Sequence, residues 1–209
     1  MSFQFHNLIV SKITSETDDA VSVSLSVPQA LKNDFAYTQG QYLTLRFDIG
    51  GRDERRAYSL SSSPLEADLT VSVKRVARGV VSNHICNNIK EGDSIAVMPP
   101  QGKFFTPLSI EQRKTYYLFG AGSGITPLMS ILKTTLETEP ASTVFLLYGN
   151  REEASIMFKN ALDSLQTRYT GQLFVEHILS QPKREKAAGL SGLFFKRKKS
   201  VGRGKVGAH

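Results

Sequence analysis

The sequence predicts an antiparallel β-barrel followed by a parallel α/β layer, and three observations carry that prediction. From Phe3 to about Met98, short runs alternate apolar and polar residues with period two. From Thr115 onward, continuous apolar runs alternate with stretches whose apolar residues recur at helical spacing. A polar, proline-bearing stretch near residues 99 to 113 separates the two regimes, which places a domain of residues 1–105 before one of residues 113–209.

Taken in order, the strands of the first part are "NLIVSKI", "AVSVSLSV", "QYLTLRFDI", "RAYSLSS", "DLTVSVKRV" and "DSIAVMPP", divided by turn residues such as Asp18-Asp19, Gly50-Gly51 and Glu91-Gly92-Asp93. Six such strands suit a small closed barrel. One helix interrupts them: in "RGVVSNHICNNIKEGD", Ser82 or Asn83 is placed to cap a helix with Ile85 and Ile89 on one face. In the second part "TYYLF" and "STVFLLYGN" read as buried strands around the helix "TPLMSILKTTLE", whose stripe is Leu128, Ile131, Leu132 and Leu136. "EASIMFKNALDSLQTRY" follows as a helix with Ile156, Phe158, Leu162 and Leu165 inward, and "GQLFVEHILS" as a third strand.

Composition narrows the function classes. The single cysteine, Cys86, makes no internal disulfide and supplies too few thiolates for a zinc or iron–sulfur site, which suits a reducing, cytoplasmic setting. The N-terminus lacks a signal-peptide pattern, and no apolar run approaches the roughly 18 residues of a membrane span. The net charge of +7 is local: nine Lys or Arg against Glu185 fall within residues 183–209, so the rest of the chain carries −1. That distribution argues against a basic face for nucleic acid, and "KRKK" at 196 to 199 reads as a solvated run.

Two stretches carry chemistry. "FGAGSGITPLMSIL", residues 119 to 132, sets Gly120, Gly122 and Gly124 between a strand and a helix, with Pro127 in the helix's first turn. Backbone N–H groups at such a helix start, with the positive end of the helix dipole, suit a phosphate. The spacing matches neither the dinucleotide fingerprint nor a P-loop, so a structural turn stays open on this stretch alone. In "RRAYSLSSSP", residues 55 to 64, Arg56 and Tyr58 point to one face of a strand, with Ser59 beside them. An arginine fork grips phosphate, a tyrosine ring offers a stacking plane, and a serine hydroxyl bonds a ring nitrogen. "RGVVSNHI" adds Gly79 for a tight turn and Ser82 as a second phosphate contact.

In this order and at these separations, Arg56-x-Tyr58-Ser59, Gly79-x-x-Ser82 and Gly120-x-Gly122-x-Gly124-x-x-Pro127 resemble the ferredoxin-NADP reductase family. More narrowly, "GQYLTL", "VKRVARGVVSNHI", "LLYGNREEASIMFKNAL" and "HILSQP" resemble the reductase components of phenylacetyl-CoA oxygenase and related multicomponent oxygenases, as far as Pro182. The resemblance implies an FAD-binding barrel joined to an NAD(P)-binding domain. It implies that Arg56 and Ser82 contact flavin phosphates, that Tyr58 stacks on the flavin ring, that Ser59 lies near its N5, and that the backbone at Val73 and Lys74 touches flavin. Thr126 matches a position near the nicotinamide. The implied reaction is hydride transfer from NADPH to FAD, then release of single electrons to an iron–sulfur centre or oxygenase partner.

No side chain in this scheme need act as nucleophile or general acid, so His84 and Cys86 read as packing or surface residues, while His177 stays open between packing and the nucleotide site. Arg151 in "YGNREE" stands where a 2′-phosphate-binding arginine is expected, which favours NADPH over NADH; Glu152 and Glu153 follow it and would oppose that phosphate if they turned inward. FMN remains the alternative to FAD. Set against the family, the chain stops before a further strand, a Cys-Gly-Pro type segment and an iron–sulfur domain, which implies a shortened nucleotide domain whose flavin binding outlasts its turnover. A flavin-binding electron-transfer module without nicotinamide activity is the alternative function.

Overall fold

The computed structural model describes residues 4–182; the basic segment from Lys183, with its KRKK run, lies outside the described residues. Strands β1 (His6–Thr17), β2 (Ala20–Ser26), β3 (Tyr42–Ile49), β4 (Arg52–Ser59), β5 (Leu69–Lys74) and β6 (Ser94–Gln101) form one antiparallel sheet in the order β4-β3-β6-β1-β2-β5. A bridge between Leu60 and Val71, with the Ser61 N–H donated to the Thr70 carbonyl at 2.8 Å, brings the two ends together. The alternation expected of a barrel is present: Leu8 and Val10, Leu43 and Leu45, Val71 and Val73, and Ile95 and Val97 all point into one core. Full burial of each such side chain stabilises by roughly 1.5–3 kcal/mol.

Helix α1 (Val80–Asn88) crosses between β5 and β6 with Val81 and Ile85 in that core. Its start corrects the sequence reading. Gly79 is the N-cap, and Ser82 lies inside the first turn, where its Oγ accepts the Val76 N–H at 3.1 Å. The serine ties the helix to the preceding loop, a tertiary demand that capping rules do not register.

The second sheet is parallel, ordered β7 (Thr115–Ala121), β8 (Thr143–Asn150) and β9 (Leu173–Leu179), with α2 (Ile125–Thr138) and α3 (Lys159–Arg168) as crossovers. Because spatial order follows chain order, two right-handed crossovers put both helices on the same face. Val144, Leu146 and Tyr148 are therefore buried under them, whereas Tyr117, Phe119 and Phe174 stay exposed at 65%, 70% and 44%. The strands expected to be buried on both faces are thus half-buried. Tyr117, Phe145 and Phe174 stack along the open face, with ring centroids 5.5 and 4.8 Å apart.

The last expected helix is shorter than its apolar pattern. Phe158 adopts φ 61°, and its N–H donates to Glu16 Oε2 on β1 at 3.1 Å, so the helix starts only at Lys159. Ile156 and Met157 are buried ahead of it in the second core, which also takes in Ala20 of β2. Among the described residues no helix is long and apolar enough to cross a membrane.

The linker between the sheets is fastened by one buried carboxylate. Glu139, fully buried beyond the end of α2, accepts the Ser109 N–H at 3.0 Å, the Tyr116 hydroxyl at 2.9 Å and the Ser142 hydroxyl at 2.7 Å. Burial alone would raise its pKa. The bonds from Ser142, the Ser109 N–H and Tyr116, with the nearby Lys114 charge, outweigh burial and hold it below the ordinary value of 4.5. Because the folded value lies below the unfolded one, this contribution to stability is complete above about pH 4.5 and is lost as pH falls through the folded value. Chemical denaturation across the acid limb should therefore show a pH dependence that Glu139→Gln reduces; an unaltered slope in that variant would assign the acid sensitivity elsewhere.

Candidate cofactor site

The site begins with β4. Its alternation directs Arg56 and Tyr58 to one side, and its pairing with β3 in register Leu45 with Arg56 and Leu43 with Tyr58 fixes their height on the barrel. Together with Ser59, Lys74, Gly79 and Ser82 they line a cavity of about 430 Å³. Ser123 and Thr126 close the same cavity from the other sheet. Two motifs some 65 residues apart in sequence thus face one another across a single space.

Each side chain has a local reason for its place. The Arg56 guanidinium is half exposed, 3.2 Å from Glu54 Oε2 and bonded to the Arg55 carbonyl at 2.6 Å, which leaves donors of its fork for an anion. Tyr58 is half-buried, and burial pushes its phenol up to about 12 despite the Arg56 charge, so the ring stays neutral at physiological pH. Gly79 is required by close approach: a Cβ there would come within 2.6 Å of Ser82 Oγ, filling the cradle between the loop and α1. Val73 alone among the barrel candidates turns its side chain into the core, at 1% exposure, so only its backbone is available to a ligand.

The glycine segment bends where expected. Gly120 is the penultimate residue of β7, opposite Tyr148; Gly122–Gly124 form a 3₁₀ turn; α2 follows with Thr126 and Pro127 in its first turn. Gly122 has φ 51°, the left-handed region that a side chain penalises. The Tyr148 hydroxyl donates to its carbonyl at 2.9 Å, and Thr126 Oγ1 donates to Ser123 O at 3.2 Å. Beyond this turn a second cavity, of about 880 Å³, runs along the carboxyl ends of β7, β8 and β9, where open α/β sheets take ligands. Arg151 lines it with Gly122, Glu152 and Ile178, and Lys74 and Ser123 belong to both cavities.

His177 does not line either cavity. Its ring tilts against Tyr148 at 5.8 Å, and burial, then the Lys159 charge, hold its pKa below 6.5. Cys86 and His84 lie on α1 outside both spaces. Sequence reasoning passes over Ser123 and Arg75. Ser123 is legible as the residue between two of the loop glycines. Arg75 follows Lys74 directly, but its role as a wall depends on Asn83 and Asn87 of α1, each accepting from its Nη1, at 2.9 and 2.8 Å.

Residues 7–106 match the oxidoreductase FAD-binding domain and residues 118–194 the oxidoreductase NAD-binding domain. The chain belongs to the ferredoxin-NADP reductase-like oxidoreductases. Curated relatives of this FAD-dependent family include one subunit of the 1,2-phenylacetyl-CoA epoxidase of Escherichia coli, 41% identical over 85% of this chain and 50% of the relative. The ferredoxin reductase component of 3-ketosteroid-9-alpha-monooxygenase from Rhodococcus rhodochrous is 44% identical over 82% of this chain and 48% of its own length. This reductase-like chain thus spans about half the length of the curated relatives it matches. Among solved structures, the flavohem-like FAD/NAD-binding domain of nitric oxide dioxygenase from Vibrio cholerae superposes with TM-score 0.73 at 26% identity, covering 90% of this chain and 82% of that one. Ferredoxin-NADP+ reductase of Plasmodium falciparum does so with TM-score 0.74 at 21% identity, over 84% and 74%, a likeness of fold.

The resemblance and the two-part fold expected from sequence therefore hold, and the family is one of FAD-dependent oxidoreductases. The donor set also fits FAD: a guanidinium fork with donors to spare, a neutral ring and a Gly79 cradle in one cavity are what a phosphorylated, flat cofactor requires. Removing the fork tests this. Arg56→Ala should weaken FAD retention by about tenfold or more, equivalent to roughly 1.5–3 kcal/mol, in equilibrium dialysis. Arg52→Ala, exposed at the far end of β4, should leave retention unaltered.

Proposed function

We propose that this chain carries a hydride from NADPH to FAD and passes the electrons singly to an iron–sulfur centre or an oxygenase partner. The observation that carries this reading is the shared cavity: Tyr58 and Ser59 from the barrel and Ser123 and Thr126 from the α/β layer line one space. Bound FAD and nicotinamide nucleotide supply the chemistry, a two-electron transfer between stacked rings followed by one-electron release. The protein's contribution is geometry.

In that reading Arg56 and Ser82 hold the flavin phosphates, with Val73 and Lys74 bordering the flavin through their backbone. Tyr58 presents its neutral ring as a stacking plane, and Ser59 places a hydroxyl at the reacting edge. Gly120, Gly122 and Gly124 let the nucleotide approach the start of α2, where its N–H groups and dipole meet negative charge. Thr126, 6% exposed and tied to Ser123 O, gives the nicotinamide side a fixed wall. The names of the relatives support an oxygenase-linked acceptor.

NADPH is favoured over NADH because Arg151 lines the cavity at the end of β8. Glu152, which the sequence set against this choice, caps the 3₁₀ turn Glu153–Ser155: its side chain accepts the Ser155 N–H, an engagement that draws its charge toward the turn. Two measurements test the reading. Anaerobic NADPH should bleach the bound flavin; protein that holds flavin yet is not bleached would be an electron-transfer module without nicotinamide activity. Arg151→Ala should weaken NADPH by roughly 1.5–3 kcal/mol while NADH binding stays nearly unaltered, and an equal loss with both nucleotides would remove the 2′-phosphate from the assignment.

A further inference from the structure

Strand β4 continues into Leu60 and then three consecutive serines, Ser61, Ser62 and Ser63, each at most 2% exposed. Buried hydroxyls and their backbone need partners. Ser61 takes Ser72 of β5, at 2.8 Å; the Ser62 hydroxyl takes the Tyr37 hydroxyl at 2.8 Å and the Thr70 N–H at 2.9 Å. The Ser62 carbonyl points the other way, across the seam between the two sheets. There it accepts the hydroxyl of Ser130 on α2 at 2.6 Å, and the same hydroxyl receives the Gly40 N–H at 3.4 Å.

Ser130 begins a polar stripe. Lys133, Thr134 and Glu137 follow at i+3, i+4 and i+7, the spacing of one helix face. All four meet the loop that leaves β4: Lys133 pairs with Glu66 at 2.5 Å, Thr134 Oγ1 lies 3.3 Å from Ser63 Oγ, and Ser63 Oγ donates to Glu137 at 2.5 Å. The opposite side of α2 is apolar, with Leu128, Leu132 and Leu136 in the core over the parallel sheet. One end of this connection is the strand bearing Tyr58 and Ser59. The other is the helix whose first turn bears Thr126.

We propose that this stripe sets the spacing between the flavin and nicotinamide half-sites, with Ser130 as its central positioning residue. The inference rests on the proposed function for its consequence but not for its geometry. Ser130 is fully buried, lines neither cofactor cavity and touches neither candidate phosphate site, so it acts only through the placement of α2. Removing its hydroxyl leaves the Ser62 carbonyl and the Gly40 N–H without their partner across the seam and frees the helix to shift. Small shifts matter in ring-to-ring transfer, where a displacement of about 1 Å costs on the order of a hundredfold in rate.

The test compares Ser130→Ala and Ser130→Val with Ser130→Thr in the full chain, and adds Thr134→Val as a milder change in the same stripe. Spin labels at Asn33 on the barrel and Thr167 on α3, in a Cys86→Ser background, report the separation of the two halves by pulsed electron resonance. FAD affinity and binding of adenosine 2′,5′-bisphosphate report each half-site by itself. We expect a broader distance distribution in Ser130→Val, affinities within about twofold of wild type, and NADPH bleaching at saturation slowed by about tenfold or more, with recovery in Ser130→Thr. A distribution as narrow in Ser130→Val and Thr134→Val as in wild type overturns the proposal, and so does slow bleaching that only follows lost FAD. Wild-type protein that is not bleached counts against the proposed function, while the distance measurement still decides the role of the stripe.

Discussion

The structure depends on a single covalent continuity: the strand that presents Arg56, Tyr58 and Ser59 runs without a break into the serines that dock on α2. The proposed function would bring two flat cofactors into contact, yet one candidate half-site belongs to an antiparallel barrel and the other to a parallel sheet with its own core. Apolar packing between the two would tolerate sliding, since hydrophobic contact is not directional. Hydrogen bonds from a buried carbonyl and hydroxyls are directional, and leaving any of them unmade costs more than making it gains. A polar seam is therefore better suited than an oily one to hold a distance.

The same logic recurs at two further attachments, one between the halves and one between the linker and the parallel layer. Glu16, at the end of β1, accepts the N–H of Phe158 at 3.1 Å and the Ser22 hydroxyl at 2.6 Å, holding a non-glycine residue in the left-handed region. Such a conformation persists only where surroundings over-determine it, and here the carboxylate and the burial of the Phe158 ring do so together. Glu139 fastens the linker through three donors. The Ser62 carbonyl meets α2 near its middle, Glu16 holds the residue before α3, and Glu139 acts just beyond the end of α2.

Much of this is legible in the sequence, and the residues explain the remainder. Period-two alternation marks six strands, and the glycine segment reads as a strand-to-helix junction, because both signals are local. Three features depend on contacts that periodicity and turn signals do not register. The α1 cap is Gly79 because Ser82 is committed to Val76. The final helix lacks its expected first turn because Phe158 answers to Glu16, 142 residues earlier in the chain. Serine is ordinarily exposed, and the burial of Ser61, Ser62 and Ser63 depends on Ser72 and Thr70 of β5, on Tyr37 and on α2, partners that the run itself does not name. For the site, residue types point to the chemistry, whereas the meeting of Tyr58 with Thr126 needs the fold.

The open face of the parallel sheet bears on why the site can be built from the described residues at all. Tyr117, Phe119, Phe145 and Phe174 make the strands apolar on both sides, which is the composition of a sheet read as buried, while α2 and α3 cover only one side. The larger cavity lies at the carboxyl ends of the strands, and its walls include Ala121, Gly149 and Ile178, which share the open face with Tyr117 and Phe174, together with the Gly122 turn, Arg151 and the barrel residues Lys74 and Arg75. Parallel pairing across β8 in register, Gly120 with Tyr148 and Tyr148 with His177, aligns those ends. The Tyr148 hydroxyl then converts the alignment into loop position by donating to the Gly122 carbonyl. A buried tyrosine beneath the helices thus holds the Gly122 turn from the covered side, while the row Ala121, Gly149 and Ile178 lines the cavity from the open one.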